Sequence, residues 1–97
     1  MEQLTDKDCS DIANTLIQRG KRYGKFIDQS TIVQNLKYHM NKTEGWLKLN
    51  DDQKEALDMI ANKIGRILNG DPNYADSWHD IAGYAKLVED RLNGTAR

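Results

Sequence analysis

The chain has 97 residues, 38% apolar and 30% charged, with fourteen Lys and Arg against fifteen Asp and Glu for a formal net charge of −1. That length holds one small domain with a thin core, and the near balance of charge gives no strong signal for nucleic acid or an acidic membrane, although a local basic patch stays open. No apolar run approaches the length that spans a bilayer, the start of the chain has no basic-then-apolar leader pattern, and the single cysteine, Cys9, excludes an internal disulfide and fits a reducing cytoplasm.

Apolar periodicity predicts four helices and no strand, hence an all-α fold, a small four-helix bundle. The first helix covers residues 6–19, with Cys9, Ile12, Ala13, Leu16 and Ile17 at helical spacing and Gly20 as its stop. Cys9 reads as a small, half-buried helix residue. Residues 20–26 form a connection in which two glycines bracket Lys21, Arg22 and Tyr23, followed by Lys25 and Phe26. The second helix covers residues 29–40, capped by Asp28 or Ser30, with Ile32, Val33, Leu36 and Met40 inward. Residues 41–49 are looser, and the Trp46 indole is expected to cover one end of the core. The third helix opens at Asn50 with Gln53 three residues on, a variant of the capping box. Its stripe is Leu57, Ile60, Ala61, Ile64, Ile67 and Leu68, and Asn69-Gly70 supplies a left-handed stop before Pro72. The fourth covers residues 75–92, presenting Trp78, Ile81, Ala85, Val88 and Leu92 on one side.

Two acidic pairs flank the turn between the third and fourth helices: Glu55 with Asp58, and Asp76 with Asp80. Residues three or four apart share a helix face, so each pair aims two carboxylates at one point, the oxygen donors that Mg²⁺ takes. Acids near a helix start also face water and complement the helix dipole, and that reading stands beside the first. The short turn makes the two helices antiparallel neighbours, which separates the pairs. Glu55 lies roughly 20 Å along its helix from Gly70, whereas Asp76 sits beside that turn on the return path. In a simple hairpin Asp76 and Asp80 face Asn62, Lys63 and Arg66, while Glu55 and Asp58 face the region of Glu89. One shared metal site then requires a slanted crossing, a kink or carboxylates from different subunits. Otherwise Asp80 pairs with Lys63 or Arg66, and Asp76 is a solvated first-turn charge. His79 and Asp80 point about 100° apart on a helix and form no dyad by adjacency alone. The chain has no glycine-rich phosphate loop, zinc-type histidine pair or serine-centred elbow.

The run from Glu55 to Leu68, with its Lys63-Ile64-Gly65-Arg66 element, and the following Asp76-Ser77-Trp78-His79-Asp80-Ile81-Ala82-Gly83-Tyr84-Ala85 resemble a group of small phage- and prophage-encoded proteins. These are similar in turn to the MazG-like, all-α nucleotide pyrophosphohydrolase superfamily. Tyr23-Gly24 also matches, so the likeness spans about residues 20–92. The superfamily's metal pattern is Glu-x-x-Glu on one helix and Glu-x-x-Asp on the next. Here Glu55-x-x-Asp58 keeps the first spacing with a shorter second acid, and Asp76-x-x-x-Asp80 changes both spacing and residue type.

The resemblance implies Mg²⁺-assisted attack of water between the α- and β-phosphates of a nucleoside triphosphate. Glu55, Asp58 and Asp80 would be the catalytic carboxylates, and Glu55, Asp58, Asp76 and Asp80 the metal ligands. Lys25, Lys63 and Arg66 would contact phosphates, and Tyr84 or Trp78 would stack on the base; surface cations and core aromatics are the plainer readings of the same residues. A chain this short is expected to be a homo-oligomer, because a partner's helices help to close a nucleotide pocket. The expected location is the cytoplasm, that of the host if the chain is phage-encoded. The competing expectation is a non-enzymatic protein that docks on and inhibits a host enzyme or defence complex, and a third is a nucleotide sponge that binds without turnover.

Overall fold

The computed structural model of the chain describes residues 6–97, with side chains from Asp11 onward, and contains no strand among them. Cys9 therefore lies outside the residues whose side chains are described. Five helices follow one another: α1 (Asp6–Tyr23), α2 (Phe26–Asn41), α3 (Glu44–Leu47), α4 (Asp51–Asn69) and α5 (Ala75–Leu92). Among the described residues no helix is long and apolar enough to cross a membrane.

Helix α1 runs past Gly20, where it was expected to end. Nothing lies within 4 Å of the space a side chain would fill there, so that glycine is simply an exposed helix residue. Lys21 and Arg22 in the last turn favour the extension through the helix dipole. The actual stop is Gly24, whose φ of 75° is left-handed and whose N–H donates to the Gly20 carbonyl at 2.9 Å. Helix α2 likewise starts earlier than expected, with Lys25 in the extended N-cap conformation. Ser30, one of the two expected caps, instead donates its hydroxyl to the Phe26 carbonyl at 2.7 Å inside the first turns. The looser stretch contains a fifth, short helix, α3, begun where Trp46 N–H donates to Thr43 Oγ1 at 3.2 Å. Trp46 is half-buried.

Helix α4 is the centre of the bundle, packing on α2, α5 and the end of α1. Its capping box forms as expected, with the Asn50 N–H donating to Gln53 Oε1 at 2.8 Å. Among the described residues the buried apolar ones are only Val33, Ala56 and Ala61. Small residues on α4 let its neighbours approach closely, and a methyl at Gly65 would run into Val33 Cγ2. Leu57 and Leu68 of the expected stripe are exposed, because contacts on several sides of α4 leave its inward positions at Ala56, Ala61, Lys63 and Gly65.

Helices α4 and α5 form an antiparallel hairpin whose register is fixed by two ion pairs, Lys63 with Asp80 and Asp52 with Arg91. The face that α5 turns inward is Ser77, Ile81, Tyr84 and Val88. This corrects the expected face by about one position. Trp78, Ala85 and Leu92 are exposed, and the Trp78 ring is held outside the core by its Nε1–H donating to the Pro72 carbonyl at 2.8 Å.

Candidate functional site

The two turns at one end of the bundle are tied together by backbone chemistry. Asn69 Nδ2 donates to the carbonyls of Tyr23 and Lys25 at 2.8 and 3.0 Å, straddling the left-handed Gly24. The Asp71 N–H donates to the Arg22 carbonyl at 2.6 Å. Around this latch, the Arg66 guanidinium lies over the Tyr23 ring at 4.6 Å and that of Arg22 over Tyr74 at 4.9 Å. The two tyrosine rings meet edge to face at 6.2 Å. Cation–aromatic contacts of this kind fix the direction of a guanidinium that would otherwise sample several rotamers.

Beside the latch a cleft of about 660 Å³ opens between α1, the start of α2 and α4. Its inner end is formed by Tyr23, Gln29, Asn62 and Arg66, and Arg19 and Lys25 add two further cations. Among the described residues no carboxylate lines it. Arg66 Nε is buried without a hydrogen-bond partner among the described residues. A buried donor of that kind is costly unless something accepts from it. The N-terminus of α2, which no side chain caps, borders the same cleft and adds the positive end of a helix dipole. The arrangement suits an anionic ligand with a flat or apolar portion.

Of the residues expected to contact phosphate, Lys25 and Arg66 therefore meet in one cleft. Lys63 does not join them. It is buried, with Nζ 3.0 Å from Asp80 Oδ2, the ion pair weighed as the alternative from sequence. Tyr84 lies towards the other end of the hairpin, where it and Glu55 border a separate cavity of about 290 Å³.

The four expected metal ligands do not converge within one chain. The hairpin register sets Glu55 opposite Val88, whereas Asp76 starts α5 about 18 Å away along the axis. Asp58 is half-buried on α4 and Asp76 is exposed. Among the described residues no three His, Cys, Asp or Glu side chains come close enough to hold a metal ion together. Within one chain the four carboxylates therefore do not gather into one cluster. His79 is exposed, and His39 meets Tyr38 edge to face at 5.6 Å.

Sequence reasoning missed Arg19 and Gln29 as parts of this end of the molecule, and it placed Asn62 and Asn69 there without their roles in the cleft and the latch. The available signal was the pair of turn glycines, Gly24 and Gly70, each flanked by residues able to satisfy the other turn's backbone.

At the opposite end, Arg91 makes a two-pronged bond to Asp52 at 2.7 and 2.8 Å. This bond holds the Asp52 carboxyl below the ordinary carboxylate range. Asp90 is likewise held down by hydrogen bonds from Lys86 and from Arg97, which fasten residues after α5 onto the helix. A carboxyl with a depressed folded pKa stabilises the fold above its unfolded value, about 3.9, and loses that contribution as pH falls through the lower folded value. The expected result is that the Arg97 contact persists through pH 4 and releases below it. An NMR titration of the Asp90 carboxyl, with exchange of the Thr95 amide that donates to the Asp90 carbonyl, reads this directly. Release above pH 5 would contradict the assignment.

The chain is thus an all-helical protein with a cationic cleft at one end. It matches the family of the domain of unknown function DUF6378 over residues 9–92 and belongs to that family. No curated protein and no solved structure matches it.

Proposed function

We propose that the chain is a MazG-like nucleotide-binding protein, with the phosphates of its ligand against Lys25 and Arg66. One observation carries this reading: three cations, and no carboxylate among the described residues, line a cleft in a chain of net charge −1. Phosphate oxygens supply acceptors of the required charge, and Arg binds them through paired N–H groups. The sequence likeness of the Lys63-Ile64-Gly65-Arg66 and Asp76 to Ala85 segments to nucleotide pyrophosphohydrolases points the same way.

Mg²⁺ enters this reading as the nucleotide's own counter-ion, held by phosphate oxygens and water. Glu55 lies about 16 Å along α4 from Arg66. Hydrolysis of the kind the likeness implies, with metal on Glu55, Asp58, Asp76 and Asp80, therefore requires carboxylates from two chains, and no hydrolytic step is assigned to one.

Thermal melting with a panel of nucleoside triphosphates, with and without Mg²⁺, tests the proposal. A ligand at a hundred times its Kd adds about 2.7 kcal/mol of stability, a rise of many degrees for a domain of this size. Lys25→Ala and Arg66→Ala are each expected to weaken binding about tenfold or more, through loss of a charge-assisted hydrogen bond. Lys25 is exposed, so its variant reads binding with least effect on folding. No response to any triphosphate, or unchanged affinity in both variants, would reject this site.

A further inference from the structure

The Asn69 carboxamide joins three helices through one nitrogen. From the last position of α4, Nδ2 donates to the carbonyl of Tyr23, the last residue of α1, at 2.8 Å, and to that of Lys25, the N-cap of α2, at 3.0 Å. A primary amide carries two N–H groups on that nitrogen, one for each carbonyl. Gly24 lies between the two acceptors, and an added carbon there would strike both the Asn69 backbone oxygen and the Asn69 amide. The angle between α1 and α2 is therefore set from α4.

The residues under this grip form one wall of the cationic cleft. Tyr23, Gly24, Lys25, Phe26 and Ile27 all border it. The Phe26 and Ile27 N–H groups open α2 and have no acceptor within that helix. Their direction, and the point from which the Lys25 side chain departs, follow from the placement of the Lys25 peptide. The facing wall carries Arg66, three residues before Asn69 on α4, with its guanidinium over the Tyr23 ring. The turn after Asn69 adds two ties to the same corner: the Asp71 N–H on the Arg22 carbonyl, and the Tyr74 ring against Tyr23. None of Asn69, Asp71 and Tyr74 lines the cleft.

We infer that Asn69 is a positioning residue for the cleft, through which the α4–α5 turn and the ligand are coupled. The inference rests on the proposed binding of a phosphate-bearing ligand between Lys25 and Arg66. Charge-assisted hydrogen bonds need donors at about 2.7–2.9 Å, and a wall free to swing at Gly24 does not hold that distance. The ligand thus binds tightly only while the latch is closed. Coupling of this kind is reciprocal, so the ligand favours latch closure by the factor that closure contributes to affinity. The turn at residues 69–74 is a control point: a contact that pulls on it lowers affinity without touching the ligand.

Asn69→Leu tests the role, since it keeps the approximate side-chain volume, removes both donors and adds no charge. Isothermal titration uses ATP, GTP, CTP and UTP as probes. For whichever binds the wild-type chain best, the variant is expected to weaken binding about tenfold or more. Ile81→Ala controls for lowered stability alone. It removes apolar contact on the inward face of α5, does not border the cleft, and is expected to keep wild-type affinity. Wild-type affinity in Asn69→Leu would overturn the inference and leave the binding proposal standing, whereas a wild-type chain that binds no triphosphate would reject both. Amide exchange in the wild-type chain gives a second reading that does not depend on the variant's folding. A saturating triphosphate is expected to slow exchange of the Asp71 N–H about tenfold or more, by the reciprocal factor. The Thr95 N–H, bonded to the Asp90 carbonyl at the opposite end, is expected to exchange at its original rate. An Asp71 rate unaltered by ligand, or equal slowing at both amides, would overturn the coupling.

Discussion

Asp80→Ala is expected to lower stability by about 2 kcal/mol, while Lys63→Met costs less than about half as much. The asymmetry follows from exposure: the Lys63 side chain is 10% exposed and that of Asp80 35%. Removing the acid strands an ammonium in a site that water barely reaches, a change that costs about 3–5 kcal/mol when both partners are deeply buried. Partial access at Asp80 lets solvent replace some of the lost attraction, hence the smaller figure. Removing the amine leaves a carboxylate that already faces water, and Met fills the same slender channel with apolar atoms. Urea unfolding of both variants checks the order, provided the slope with denaturant is unchanged. The same pair separates structure from ligand binding. Nucleotide affinity is expected to survive both substitutions, because Lys63 is committed to Asp80 at 3.0 Å and does not line the cationic cleft. Loss of affinity in Lys63→Met with stability intact would restore Lys63 as a phosphate contact.

Gly70→Ala is expected to be the most damaging single methyl in the described chain. The added carbon would strike the Arg22 carbonyl oxygen and Tyr23 Cα, both backbone atoms, at the junction where the Asp71 N–H meets Arg22. Side chains can rotate away from an intruding methyl, but here two turns would have to separate. A cost of about 3 kcal/mol is expected, near the upper end of overpacking effects, which lowers the melting temperature by more than about 10 °C. Gly83→Ala is the matched control. Nothing lies within 4 Å of its added carbon, the site is an exposed position inside α5, and alanine is the better helix former by about 1 kcal/mol. It should raise the melting temperature. Equal effects of the two substitutions would show that crowding at position 70 is relieved by movement of the turns.

The parts of this fold legible in the sequence are those with local causes. Asn50 and Gln53 announce the start of α4 three residues apart, and the Asn69-Gly70-Asp71-Pro72 run announces its end. Helical rise alone, counted from that turn, anticipates that Asp80 faces the stretch holding Lys63 and Arg66 and that Glu55 and Asp76 lie far apart. Gly20 misled because a glycine alone does not end a helix; the backbone turns left-handed four residues later, at Gly24. Gly70 does end α4, but with φ −138° rather than as the left-handed stop its sequence suggests. The inward face of α5 misled because hydrophobicity favours Trp78 over Ser77. Tight approach to α4 favours the small residue, and Pro72 supplies an acceptor that keeps the indole outside. The cleft was legible only in pieces. Lys25 and Arg66 were singled out separately, but nothing in either neighbourhood shows that they share a wall, since that depends on side chains reaching across more than forty residues of sequence.

That reach sets an order of events for the chain as it is made. The corner at Gly24 is gripped by an amide group 46 residues downstream of Tyr23, so α1 and α2 leave the ribosome before the group that fixes their mutual angle exists. Until α4 is complete, the first two helices form a loosely hinged arm with its greasy side uncovered. The window between their synthesis and the arrival of Asn69 is when the nascent protein is most exposed to unwanted association.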